Sequence, residues 1–315
     1  MPELFYIILG LVLLLVIYLG ISYYFFKQLF YHFNQKGLVL VDENDEFYKR
    51  AYEWYEDIPK ESETISSYDG LKLHGIYIPA RDKHSNKLAI VMHGYQSKAR
   101  DMMIIAKMYS DMGFQVLVID QRAHGQSQGK FTSVGYYESY DLKKWLHFVT
   151  RNYGANINIL LHGVSMGAAT AVLATRFRES NNVKMMVLDS CFTNFKDTLK
   201  LSTDHGYQKL FIPGVNLMSR FILKFGLKTV NPLKHIRRSN IPSIFIYGSD
   251  DKVITKKMTE SLHHHLKSQQ KEILIIEGAR HAKGFELDKD RYIQHVLDMA
   301  SDIFKIKKAD IKFFQ

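Results

Sequence analysis

Gly163-Val164-Ser165-Met166-Gly167 constrains this chain more tightly than any other stretch. It is a G-x-S-x-G set between two opposed patterns. Ile157-Asn158-Ile159-Leu160-Leu161-His162 precedes it and reads as a short buried strand, and the helix-forming Ala168 to Thr175 follows. A serine on a sharp strand-to-helix turn projects its hydroxyl from the sheet edge, and small neighbours let the backbone bend that tightly. The N–H of Met166 would then point where a tetrahedral oxyanion forms, with the helix N-terminus adding positive potential. Ser165 reads as a nucleophile.

A nucleophilic serine needs a base, and the base needs an orienting acid. On a strand-turn-helix serine the chain order is Ser, then Asp or Glu, then His. Pro242 to Gly248 reads as a second buried strand and ends in Ser249-Asp250-Asp251-Lys252-Val253. Glu272 to Gly278 reads as a third and runs into Ala279-Arg280-His281. Carboxylate and imidazole therefore lie in loops just past strand ends, on the edge that carries the serine. From the residues alone the acid is Asp250 or Asp251. Elsewhere strands alternate with helical patterns at 101–112, 137–151, 168–178, 255–267 and 291–304, and Asp69-Gly70 marks a hairpin. Such alternation predicts an α/β domain whose largely parallel, twisted sheet is covered by helices on both faces.

With these residues in view, the chain from about Glu63 to Lys305 resembles the α/β-hydrolases, in the serine-esterase and prolyl-oligopeptidase-like branch. The resemblance implies an α/β-hydrolase fold and places the acid three residues after the strand-ending Gly248, at Asp251. It places the base in a Gly-x-x-His turn, at His281 of Gly278-Ala279-Arg280-His281. The second oxyanion donor then comes from the loop of His93-Gly94-Tyr95, as the backbone N–H of Tyr95. Asp120-Gln121-Arg122-Ala123-His124-Gly125-Gln126-Ser127 resembles the family's D-x-R-x-H-G-x-S stretch behind the site. Thr255 stands where relatives often carry proline, a departure that touches only the turn after the acid.

Other polar residues have plainer explanations. Asp189 ends the strand around Met185 to Leu188, where some relatives place their acid, and is expected to be a structural hydrogen-bonding residue. His93 and His124 precede the serine and are expected to order loops. His263, His264 and His265 are consecutive on a predicted helix, so they face different directions and cannot converge on one metal ion. The chemistry expected of Ser165, Asp251 and His281 calls for no metal or organic cofactor.

The N-terminus carries a second strong pattern. Leu4 to Phe26 is a run of twenty-three residues without a charge, with aromatic residues gathered near both ends. At helical rise it spans about 35 Å, enough for a hydrocarbon core of about 30 Å. A cleaved signal peptide would want basic residues first and a shorter apolar core, whereas here Glu3 leads. A retained single-pass anchor is expected. Lys27 and Lys36 follow it, which places the catalytic domain on the cytoplasmic face by the positive-inside bias. The lone Cys191 agrees with a reducing compartment.

These boundaries divide the chain into an anchor (1–27), a juxtamembrane linker and helix (28–62), a core (63–190 with 241–307), a cap insertion (191–240) and a basic tail (308–315). In the linker, the residues from Asp45 to Asp57 predict a helix lying on the domain or on the membrane. The cap holds nine Lys or Arg against Asp197 and Asp204, most of the chain's net charge of +10. Within it Leu217, Met218, Phe221, Ile222 and Phe225 predict an apolar helical stripe, with Arg220, Lys224 and Lys228 on another face. That pattern suits contact with anionic lipid. No nucleic-acid recognition module is recognisable.

The function expected is a membrane-anchored serine hydrolase that cleaves acyl or lipid-like esters through an acyl-enzyme. Its rivals are a serine peptidase or amidase using the same three side chains, and a non-catalytic membrane scaffold.

Overall fold

The computed structural model describes residues 2–31, 45–202, 206–308, 311 and 313. Lys36, Asp204 and most of the predicted tail lie outside the described residues.

Eight strands form one sheet: β1 (Glu61–Ser66), β2 (Lys72–Ile78), β3 (Lys87–Met92), β4 (Gln115–Ile119), β5 (Asn158–Val164), β6 (Val183–Asp189), β7 (Ser243–Gly248) and β8 (Lys271–Ile276). Their order is β1-β2-β4-β3-β5-β6-β7-β8. β1 and β2 form the predicted hairpin around Gly70 and join antiparallel, and every pair from β4 to β8 is parallel. The five central strands β3 to β7 are buried almost throughout, as a sheet covered on both sides requires.

Alternate side chains of these strands feed two cores. Ala89, Val91, Val116, Val118, Val187 and Ile246 face one side, where α3 (Met103–Asp111) and α10 (Lys289–Phe304) pack. Leu88, Ile90, Leu117, Leu161, Leu188 and Phe245 face the other, under α4 (Tyr136–Asn152), α5 (Met166–Ala174), α8 (Pro232–Ile236) and α9 (Lys256–His265). The helix α2 (Glu46–Asp57), expected from the linker sequence, is capped by Asp45 and buries Ala51 on the first core, so it lies on the domain. Two helices differ from expectation at their ends. α5 begins at Met166 and stops at Ala174, and the segment before α3 opens as a 3₁₀ turn at Ala99–Met102.

A third core joins the N-terminal helix to the 191–240 excursion. α1 (Pro2–Phe30) is exposed over residues 2–17, but Ser22, Phe26 and Phe30 are buried. Against its last turns pack α6 (Phe195–Ser202), a 3₁₀ segment (Gly206–Phe211) and α7 (Ile212–Ile222). Tyr18 Oη donates to the Leu210 carbonyl at 3.1 Å and accepts from Gly214 N at the same distance. Gly214 is needed there, because a Cβ would stand 2.1 Å from Ser22 Oγ.

The predicted basic amphipathic helix forms only up to Ile222. α7 ends at Ile222, and Lys224 adopts φ +60°. Arg220 folds back over Gly226, while Lys228 lies in a depression with Asp197 and Lys200. The three cations therefore share no helical face. The apolar stripe is divided as well: Phe225 is buried in the third core, whereas Leu217, Phe221 and Ile222 are exposed. A helix-period pattern survives in a sequence even where the chain turns, and here the chain turns at Lys224 and takes Phe225 into the third core.

Candidate active site

Ser165 follows β5 directly and holds φ +53°, ψ −108°, a conformation costly for any residue with a side chain. The surrounding contacts enforce it. Ser165 N donates to the Asp189 carbonyl at 2.8 Å, tying the turn to β6. The flanking glycines are demanded by close approach: a Cβ on Gly163 would stand 2.3 Å from the Gly167 carbonyl carbon, and one on Gly167 2.4 Å from the Met92 carbonyl oxygen. Met166 is the first residue of α5, so its N–H has no acceptor within the helix.

Past β7, Asp251 turns inward with its side chain wholly shielded from solvent. Its Oδ1 accepts from Val253 N and Ile254 N, each at 2.8 Å, and its Oδ2 accepts from His281 Nδ1 at 2.7 Å. The opposite nitrogen, Nε2, lies 2.9 Å from Ser165 Oγ. With Nδ1–H committed to the carboxylate, Nε2 is the acceptor and the serine hydroxyl the donor. Asp250 is exposed, its amide donating to the Ala279 carbonyl. The His281 loop is itself held by Ala282 N, which donates to Ser190 Oγ at 3.1 Å. Thr255, the departure from the family pattern, caps α9 by accepting from Met258 N.

The loop after β3 is locked by two histidines. His93 Nδ1–H donates to the Gly94 carbonyl at 2.7 Å, and its Nε2 accepts from Gln121 N at 3.0 Å. Both nitrogens are thereby committed to a neutral ring, and burial pushes its pKa down to about 3. His124 repeats the arrangement, donating from Nδ1 to the Arg122 carbonyl and accepting from Gln96 N. Gln121 Nε2 donates to the His93 carbonyl at 2.6 Å, and its Oε1 accepts from Thr170 of α5. The segment 93–96 is thus fixed against the nucleophile helix, with Gly94 packed on Ser165 Cβ.

Behind this loop, Asp120 accepts from His74, Ala99 N and Gln126 N; burial raises its pKa, but these bonds outweigh it and the net shift is downward. Arg122 is buried between Asp141 and Asp69, its Nε 2.6 Å from Asp141. Asp189 accepts from Ser190 Oγ and Tyr292 Oη and does not touch the imidazole of His281. Burial raises its pKa to about 6. His263 and His265 bond to different partners, the Lys271 and Ser261 carbonyls, and His264 is exposed. Cys191 is free and buried, which pushes its thiol pKa up.

Ser165 and His281 open onto a cavity of about 310 Å³ lined mainly by apolar side chains: Leu29, Val134, Phe192, Phe195, Leu199 and Ile254. Four larger depressions, of about 370 to 700 Å³, lie elsewhere among the described residues and hold neither Ser165 nor His281. Among the described lining residues of the serine cavity there is no Asp, Glu, Lys or Arg. The sequence pattern did not point to Leu29, because it sits past the apolar run, in the stretch that reads as linker.

Known proteins resemble this chain in both sequence and shape. The family model described as Serine aminopeptidase, S33 matches residues 83–210. The uncharacterized protein YqkD of Bacillus subtilis is 29% identical over 258 residues, covering 80% of this chain and 84% of that protein. Human monoglyceride lipase is 24% identical over 234 residues, covering 64% of this chain and 77% of the lipase. The solved esterase Pf2001 of Pyrococcus furiosus superposes with a TM-score of 0.66 at 22% identity, over 86% of this chain and all of that one. The fold is that of the α/β-hydrolases.

Proposed function

We propose that this protein is a membrane-anchored serine hydrolase that cleaves carboxylic esters bearing an apolar acyl chain. One observation carries the reading: Ser165, His281 and Asp251 form a continuous hydrogen-bonded chain at the floor of an apolar cavity. His281 Nε2 takes the proton as Ser165 Oγ attacks the ester carbonyl, and Asp251 holds the imidazole and stabilises its positive charge. The N–H groups of Met166 and Tyr95 receive the oxyanion, where loss of one donor typically costs about 100- to 1000-fold in turnover. The tetrahedral intermediate collapses to an acyl-enzyme as His281 returns the proton to the leaving alcohol. Water, deprotonated by the same nitrogen, then releases the acid.

The cavity sits near the lower end of the usual range for ligand pockets, roughly 300–1,000 Å³, which suits one acyl chain. A peptidase reading takes its support from the matched family's description and from the prolyl-oligopeptidase-like resemblance. An aminopeptidase must seat a substrate ammonium group, and burying that charge without a carboxylate is costly. The uncharged lining of the cavity favours an ester.

The membrane part of the proposal rests on α1, whose most apolar window has a mean hydropathy of 2.9 and is entirely unburied by protein. Its last turns belong to the third core, which argues for retention over cleavage as a signal. Tyr207, Leu210, Leu217, Phe221 and Ile222 are exposed beside it and would meet lipid as an apolar contact. This replaces the basic stripe expected from sequence. Lys27 after the run favours a cytoplasmic catalytic domain.

The test is covalent labelling by a fluorophosphonate, with side-by-side rates on acyl esters and aminoacyl amides. Labelling lost in Ser165→Ala, with esters turned over faster, is expected. Labelling that persists in that variant, or faster amide cleavage, would overturn the reading.

A further inference from the structure

The C-terminal end of α1 is not a free tether. A helix leaves its last carbonyls without intrahelical partners, and they must find others. Here two are taken by the catalytic domain: the Leu29 carbonyl accepts from Tyr95 Oη at 2.8 Å, and the Phe30 carbonyl from Thr132 N at 3.1 Å. Phe26 and Phe30 are fully buried, and the Phe30 ring meets Phe195 and Phe225 at 6.5 and 5.7 Å between centroids. Leu29, beside Phe30, is partly buried against the third core and lines the cavity that holds Ser165 and His281.

We propose that this last turn of α1 is a wall of the substrate pocket, in which Leu29 limits the acyl length accepted and its carbonyl steadies the loop that presents the Tyr95 N–H. The inference rests on the ester-hydrolase reading above and names a specificity determinant within it. Two parts of α1 thus have separate tasks. Residues 2–17 are exposed along their length, while the final turn joins a pocket lined also by the cap, the loops after β3, β7 and β8, the turn at Ser165 and Val134. Tyr95 acts here as a positioning residue through its hydroxyl, apart from the backbone N–H assigned to the oxyanion. The hydroxyl and the N–H belong to one residue, so a shift of the ring moves the donor.

The experiment uses the full chain in detergent micelles and a series of p-nitrophenyl esters from acetate to laurate. A missing or added methylene against a hydrophobic wall changes kcat/KM by about 10- to 200-fold. Leu29→Ala should therefore raise the ratio of long-chain to short-chain kcat/KM by about tenfold, and Leu29→Phe should lower it by a similar factor. Tyr95→Phe keeps the N–H but loses the bond to Leu29, and should lower kcat about 3- to 10-fold with little change in KM. A uniform fall across the series in both Leu29 variants, with fluorophosphonate labelling intact, would overturn the wall while leaving the hydrolase reading in place. Ester hydrolysis surviving in Ser165→Ala would remove that reading and the wall with it. Should Leu29→Ala fail to fold, Leu29→Phe carries the same test with opposite sign.

Discussion

Replacing Asp251 by Asn should silence the protein without unfolding it, and the hydrogen bonds say why. Asp251 uses one oxygen to accept from two backbone amides, Val253 N and Ile254 N, and the other to accept from His281 Nδ1. An asparagine has one acceptor oxygen, and the amide pair claims it. Its NH₂ then faces His281 Nδ1 and can only donate, so the imidazole must carry its proton on Nε2. That nitrogen stands 2.9 Å from Ser165 Oγ and would now donate to the hydroxyl it should deprotonate. In the serine-protease template the same tautomer error lowers kcat about 10⁴-fold, equivalent to about 5 kcal/mol of barrier. Because both backbone bonds survive, thermal unfolding should shift little. The assay is steady-state turnover of a short p-nitrophenyl ester, with melting curves for each variant and Asp250→Asn as the exposed control, expected within about twofold of the parent. Asp251→Asn retaining a tenth of the parental kcat, or Asp250→Asn losing as much as Asp251→Asn, would refute the assignment of the orienting acid.

Three further outcomes follow from the same geometry. Ser165→Gly should abolish labelling yet raise the unfolding midpoint, because φ +53° with ψ −108° costs a serine about 1–3 kcal/mol that glycine avoids; chemical denaturation showing lower stability would count against strain at the turn. Asp189 has a pKa raised to about 6 by burial, so its contribution to stability is greatest below the usual 3.8 and is lost as pH rises through 6. Relative to the parent, Asp189→Asn should gain up to about 3 kcal/mol between pH 4 and pH 7 in urea titrations, and a flat difference would exclude this role. Gly214→Ala puts a Cβ against Ser22 Oγ and should destabilise the docking of α1 on α7 by about 1–3 kcal/mol, with Ser22→Gly restoring the melting temperature; an unchanged melt in the single variant would speak against that contact.

The parts of this protein legible in its sequence are those set by local rules. A tight strand-to-helix turn needs small residues on either side of Ser165, a parallel strand buried on both faces needs an unbroken apolar run, and a helix over a sheet needs a 3.6-residue period. Each leaves a contiguous trace, so the sheet, its covering helices and the loops holding Ser165, His281 and the Asp250–Asp251 pair could be read in order. Long-range packing leaves no such trace. Asp250 and Asp251 are chemically identical neighbours, and only the fold turns one onto His281 and the other to solvent. Leu29 is one apolar residue just past the charge-free run, and its carbonyl is held by a hydroxyl sixty-six residues away. The basic face written into 220–228 dissolves where Lys224 takes a positive φ and Phe225 enters the third core. Local backbone preference decided which elements form; competition among distant side chains for the same buried space decided what they build.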